Sequence, residues 1–266
     1  MPREKPRPGF RWRLWLTVLA WSAFFISSAV AARQAHRYVL GDPQFWLSGE
    51  DRGALMLQGV NYASRAKLRR VFAVDYGRSI FAVPLAERRR RLLAVDWVED
   101  ATVSRIWPNR LLIRVTERQP VAFVSLPFGG ASGSAARFLL VDAQGVLLDP
   151  PTRAQFAFPV LTGLTDDQTD AQRRVRVRAM QNLMSELGPA GQNISEINAA
   201  DPDNLTVVAQ VEGRPLELRL GDGNYSKRVQ NFLLHYPEIH KQAVNVTTFD
   251  LRLDDRITAE EQPKRR

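Results

Sequence analysis

The chain contains no cysteine, which removes disulfides, thiolate metal sites and cysteine nucleophiles together. Histidine is nearly as scarce. His36, His235 and His240 stand alone, none pairs with another at i, i+4, and no H-E-x-x-H occurs, so a zinc hydrolase site has no basis. A G-x-S-x-G nucleophile elbow and a phosphate-cradling Walker loop are also missing. Leu220-Gly221-Asp222-Gly223-Asn224 reads as a turn before a helix rather than an anion cradle. Asp201-Pro202-Asp203-Asn204 lacks the glycine and the closing glutamate of a calcium loop. Catalytic, cofactor-binding and metal-binding residues are accordingly expected to be none.

Acidic charge is in deficit. Thirty-seven Lys and Arg face 28 Asp and Glu, a net charge of +9 over 266 residues, which suits an acidic partner or an anionic membrane surface. Part of the surplus is positional: Arg3, Lys5, Arg7, Arg11 and Arg13 face only Glu4 at the N-terminus. No helix-turn-helix spacing or cluster of base-stacking aromatics accompanies the charge, so no nucleic acid is expected among the partners. With 45% hydrophobic residues, the length suits two small folded domains plus extras.

Residues 14–32, LWLTVLAWSAFFISSAVAA, carry no charge. As a helix they would be about 28 Å long, close to the roughly 30 Å of a bilayer's hydrocarbon core. Trp12 and Trp15 sit where interfacial indoles are favoured, and the basic residues before the run outweigh Arg33 and Arg37 after it. That asymmetry places the N-terminus in the cytoplasm. Ala29-Val30-Ala31 offers a signal-peptidase site, but the apolar run exceeds the usual 7–15 residues of a signal sequence, which favours an uncleaved anchor.

The expected organisation is a basic cytoplasmic segment (1–13), a transmembrane helix (14–32), a partly extended juxtamembrane linker (33–52), a small α+β unit (53–118), a strand-rich domain with two helices (119–254) and a frayed polar tail (255–266). In the α+β unit, Leu55–Gln58 reads as a strand. Ser64 caps a helix carrying Leu68, Val71 and Phe72, and Pro84 opens a second helix to about Leu93. Val98–Trp107 and Leu111–Val115 form a hairpin around Pro108-Asn109. Trp97 and Trp107 are both expected to be substantially buried. The Arg88–Arg91 run spreads around its helix, so Arg88 or Arg89 should lie over the sheet edge and snorkel outward. The run is read as a solvated face, with anionic headgroups or an acidic partner as the alternative.

Beyond Gln119 the strand candidates are Val121–Leu126, Phe138–Val141, Val146–Leu148, Ile194–Asn198, Leu205–Val211, Leu216–Leu220 and Phe249–Leu253. Gly129–Ser134 reads as a loop. Asp170 opens a helix whose Val175, Met180, Leu183, Met184 and Leu187 share a face, stopped by Gly188. Ser226 opens another, ending near Leu234 before a Tyr236-Pro237 break. No strand is expected after Leu253, which leaves that strand with an open edge.

The patch Trp97-Val98-Glu99-Asp100-Ala101-Thr102-Val103-Ser104-Arg105-Ile106-Trp107-Pro108-Asn109-Arg110-Leu111 resembles the W-V-x-x-A-x-V-x-R-x-W-P-x-x-L of the bacterial FtsQ/DivIB cell-division family. Val115-Thr116-Glu117-Arg118-Gln119-Pro120-Val121-Ala122 is similar to its V-x-E-x-x-P-V-A. Leu140-Val141-Asp142 with Gly145-Val146, Pro159–Gly163, and Leu218–Gly221 before the helix with Lys227, Arg228 and Phe232 follow in the family's order.

The resemblance implies a POTRA domain near Ala54–Glu117, a following β-domain, no enzymatic activity and residence in the inner membrane at the division septum. It also implies binding of an FtsB–FtsL pair, with the septal peptidoglycan synthase complex as a further contact and control of septal peptidoglycan synthesis as the outcome. The family's last β-domain strand accepts a strand from FtsB, with an arginine as a contact. Here that strand corresponds to Phe249–Asp254, which implies Phe249, Leu251, Arg252, Leu253 and Asp254 as the partner contacts, with Arg252 at the arginine position. Departures are Leu253 where some relatives carry an aromatic, Asp255-Arg256 in place of a small glycine-containing turn, and Asp96 in place of a proline before Trp97. An anchored cell-wall enzyme and a POTRA-bearing secretion component remain as other readings. The second would need a membrane β-barrel, for which these strands are too few and too short.

Overall fold

A computed structural model describes residues 12–51, 53–128, 135–151, 154–242 and 244–260. The basic residues up to Arg11, the Gly129–Ser134 loop and the end of the tail lie outside the described residues. The chain divides into two compact units, residues 1–117 and 118–266.

In the first unit, helix α1 runs from Trp12 to Gly41. It is long and apolar enough to cross a membrane, and its residues from Trp15 to Tyr38 are all exposed. The expected partly extended linker is therefore corrected. The helix continues through Arg33 and Arg37 to Gly41, and a short 3-10 turn, Pro43–Phe45, follows under an Asp42 cap. Gln34, Ala35, His36 and Arg37 include no helix breaker, and the first glycine after the apolar run is Gly41 itself.

The remainder of this unit is β1 (Leu55–Gln58), α2 (Arg65–Arg70), α3 (Leu85–Leu92), β2 (Val98–Ile106) and β3 (Arg110–Glu117), with sheet order β1-β3-β2. β2 and β3 form the expected hairpin, and β1 lies parallel to β3. Ser64 Oγ accepts from Lys67 N and so caps α2. Ser64 and Lys67 stand at S-x-x-K spacing, but this hydroxyl serves the cap while the ammonium pairs with Asp96 at 2.5 Å. Leu68, Phe72, Ile80, Leu92, Leu111 and Ile113 form the core. Gly59, at φ +73°, is required where it stands, because a Cβ there would lie 2.1 Å from Val115 O.

One expectation fails here, and the other is met by Arg89 rather than Arg88. Trp97 is buried (4% exposed), but Trp107 is 66% exposed, because it sits in the β2–β3 turn, past the last strand position that faces the core. Arg88 does not snorkel. It is 5% exposed, with Nε 2.6 Å and Nη2 2.9 Å from the Asp75 carboxylate oxygens. Arg89 is the residue that leans on the strand, donating to Ala101 O at 2.7 Å and to Asp100.

The second unit holds β4 (Pro120–Phe128), β5 (Ala135–Asp142), β6 (Leu147–Leu148), β7 (Val160–Thr162), α4 (Asp170–Leu187), β8 (Ile194–Asn198), β9 (Leu205–Val211), β10 (Arg214–Gly221), α5 (Tyr225–Gln242), β11 (Thr248–Asp250) and β12 (Thr258–Glu260). They make a nine-stranded sheet in the order β12-β11-β10-β9-β8-β7-β4-β5-β6. Pairing is antiparallel except at β4–β7, β7–β8 and β10–β11, so the class is α+β, as expected.

One sheet face supplies Val124, Leu126, Ile197, Val207 and Leu218 to a core that α4 and α5 complete. On α4 the buried face is Arg173, Val177, Met180, Leu183 and Leu187; Val175 is exposed. Thr169 caps this helix in a reciprocal box with Gln172, one residue before the expected opening. β7 was not expected as a strand. Its three residues between Pro159 and Gly163 bridge β4 and β8 in parallel. Helix α5 begins at Tyr225 and passes Pro237 to Gln242, so the expected break is absent. Tyr236 is buried against Phe232 and Phe249 and stacks on His240, which also meets Arg214. These contacts on both sides of Pro237 offset the roughly 3 kcal/mol that an interior proline costs.

Candidate partner-binding edge

The end of the sheet carrying the expected binding residues is built outward from β10. β11 lies parallel to it, with Leu218 opposite Phe249, and Leu251 N extends the ladder by donating to Arg219 O at 2.9 Å. The strand proper is Thr248–Asp250, shorter than Phe249–Leu253, because Asp250 then turns the chain. Its carboxylate accepts from Arg252 N at 3.0 Å and from Arg252 Nε and Nη2. This is the local side-chain-to-backbone bond that favours turns over strands.

The expected open edge on this strand is corrected. Thr258–Glu260 returns as β12 and pairs antiparallel with β11, Phe249 opposite Ala259. Ile257 packs against the core, and Arg219 Nη1 holds Glu260 at 2.6 Å, which ties β12 to β10 across β11. Among the described residues the open edge therefore belongs to β12. A weak sequence signal for it exists: apolar Ile257 and β-branched Thr258 follow the polar turn Asp254-Asp255-Arg256.

The five expected contact residues thus separate. Phe249 and Leu251 point into the core. Asp254 is tied to the start of α5 by Arg228 Nε (2.8 Å), Asn224 Nδ2 (3.1 Å) and Lys227 Nζ (3.3 Å). Arg252 and Leu253 face solvent, and with Asp250, Arg256 and Thr258 they line a shallow hollow beside β12.

The opposite end of the sheet is closed in a different way. β6 pairs only with Leu140 and Val141 of β5. Asp149 then binds Arg137 of β5 at 2.8 Å, and Pro150-Pro151 follow. Proline offers no N–H, so this end is blunted against strand addition.

Charge shapes the open end. The Asp250 carboxyl is held below the ordinary range, chiefly by its hydrogen bond from Arg252. Asp254 is lowered likewise, first by Arg228 and then by Lys227. A carboxylate lowered in the folded state adds stability above its unfolded value of about 4, and that stability is lost as pH falls through the folded value. Asp254→Asn should therefore lower the unfolding midpoint of the chain at neutral pH, with the difference from the parent vanishing on acidification below about pH 4. An equal difference at every pH would show that the carboxylate's charge is irrelevant.

Both halves of the chain match family models. A POTRA domain of FtsQ type matches residues 54–118, and the C-terminal domain of cell division protein FtsQ/DivIB matches residues 133–252. The chain is 34% identical over 214 residues to cell division protein FtsQ of Koribacter versatilis, covering 78% of this chain and 59% of that relative. Against the FtsQ of Actinobacillus pleuropneumoniae it is 25% identical over 73% of this chain and 80% of the relative. Against that of Rhodothermus marinus it is 28% identical over 82% and 80%. The match to the Koribacter protein thus spans less than two thirds of that relative's length. With an FtsQ-type POTRA domain followed by the FtsQ/DivIB C-terminal domain on one chain, this protein belongs to the FtsQ/DivIB family of cell division proteins.

Proposed function

We propose that this chain is a non-enzymatic scaffold of the division machinery. α1 anchors it once in the cytoplasmic membrane, with the N-terminus inside and both folded units outside. Its open sheet edge holds FtsB- and FtsL-like partners at the septum and so helps to control septal peptidoglycan synthesis. The observation that carries this reading is the asymmetry of the nine-stranded sheet: one end is blunted by Pro150-Pro151, while the other ends in β12 with exposed Arg252 and Leu253 beside it. An unpaired edge supplies main-chain donors and acceptors that an incoming strand can complete. Arg252 adds a planar cation that suits a partner carboxylate.

Two substitutions test it by co-purification of the full chain with the extracytoplasmic segment of an FtsB-like partner. Arg252→Glu should weaken capture at least about tenfold, the effect of roughly 1.4 kcal/mol, while the chain still unfolds in one cooperative transition. Ala259→Pro should weaken it by removing an edge donor. Capture of both variants at the parental level, with parental folding, would exclude this edge as the docking site.

A further inference from the structure

The end of α1 does not pass into a loose linker. Ser79 Oγ donates to Val39 O at 2.9 Å, Leu47 N donates to Arg78 O, Gly77 N to Leu47 O, and Ile80 N to Phe45 O, each at 2.9 Å. Phe45 and Leu47 are buried. The segment after α1 is thus bonded through its backbone to the loop 77–80 that precedes α3, and α1 itself meets that loop through the Ser79 hydroxyl.

The β2–β3 turn comes down beside this junction. The Trp107 ring packs edge-on against Phe45 at 5.3 Å and Phe81 at 5.6 Å, and Phe45 meets Tyr38 of α1 at 6.3 Å. Arg105 donates to Ile80 O and Val83 O, with its guanidinium 5.9 Å from the Phe81 ring centre. Despite these contacts, Trp107, Trp46 and Tyr38 remain exposed. Arg33, Arg37, Arg78 and Arg110 are exposed too, and none forms an ion pair among the described residues. Asp42, Glu50 and Asp51 are the acidic side chains of the same stretch.

From Arg33 to Gly41 the helix rises about 12 Å when upright, and less at the usual tilt of about 20°. Tyr38 then stands at the depth of the headgroups, whose layer is roughly 5 to 8 Å thick per leaflet. The Trp107 turn, packed on Phe45, hangs just above. The far pole is different: β3 runs about 24 Å away to Glu117, whose carboxylate accepts from the N–H groups of Asn61, Tyr62 and Ala63.

We infer that the junction pole of the POTRA domain is a lipid-facing collar, in which Trp107, Trp46 and Tyr38 with the flanking arginines seat on anionic phospholipid headgroups. Amphipathic rings settle at this interface because one edge is apolar and the other bonds to water and ester groups. Guanidinium forks match phosphate oxygens. The collar rests on the reading of α1 as a membrane anchor, and it fixes the height and tilt of the POTRA domain over the bilayer.

The absence of native cysteine allows single labels to be placed in the full chain. Three variants, Asn109→Cys, Asn61→Cys and Ala23→Cys, would carry an environment-sensitive fluorophore in vesicles of phosphatidylcholine and phosphatidylglycerol. Each is read against headgroup-spin-labelled and tail-spin-labelled lipid. Quenching at position 23 by the tail label establishes the anchor independently. The collar then requires headgroup quenching severalfold stronger at position 109 than at position 61, reduced by Trp107→Ser and in vesicles without phosphatidylglycerol. Equal quenching at 109 and 61, with position 23 still quenched, overturns the collar and leaves the anchor standing. Shielding of the 109 label only on addition of an acidic extracytoplasmic protein would make this pole a protein-docking surface and would also overturn it.

Discussion

Replacing Arg88 with alanine is expected to lower the stability of the POTRA domain by about 3–5 kcal/mol, the usual cost of breaking one side of a buried ion pair. The guanidinium and the Asp75 carboxylate are both buried and doubly hydrogen-bonded. Removing either leaves the other charged with no water to solvate it. A domain of this size has only some 5–15 kcal/mol in hand, so much of it would be lost. Arg90→Ala, on the exposed side of the same helix, should change stability by no more than about 0.5 kcal/mol. Replacing both partners with apolar residues of similar volume should recover most of the loss. The measurement is thermal and urea unfolding of the full chain in detergent. Parental melting in Arg88→Ala would mean that the pair carries no structural weight.

A comparable loss is expected for Trp97→Ala, but not for Trp107→Ala. Trp97 is buried, stands 5.0 Å from the Tyr62 ring, and begins β2 from a positive φ of 72°. Truncating a buried tryptophan typically costs 3–5 kcal/mol, so about that is expected here. Trp107 has much less to lose: its two edge-to-face contacts are worth about 0.5–1.5 kcal/mol each, and most of its surface already faces solvent. Unfolding of the two single variants under one set of conditions decides the matter. A larger loss at 107 than at 97 would reverse the assignment of core and surface.

These two tryptophans also show where sequence patterning stops. The order of the POTRA elements was legible because Ser64, Pro84 and Pro108-Asn109 punctuate runs whose apolar spacing switches between helical and strand periods. The same spacing cannot tell a buried ring from one in the turn just past the strand. Nor could it find the partner of Arg88, since Asp75 lies in a turn before the helix and the two meet only once the fold has formed. In the C-terminal domain β8, β9 and β10 were legible from alternation. β7 and β12, three residues each, are too short to show a period. At the candidate site this mattered most: of residues read alike as contacts, Arg252 and Leu253 face solvent while Phe249 and Leu251 are core, and the edge itself lies one strand further out.

The unequal ends of the nine-stranded sheet have a consequence for stoichiometry. A sheet open at both ends can be extended head to tail without limit, as in a fibre. Among the described residues this one has one unblunted end, on β12. It can accept one partner strand, or it can join a second copy of itself across a two-fold axis, but not both at once. If partner capture uses β12, as proposed, self-association through that edge would compete with it, and the local concentration of partner strands would set the balance between them.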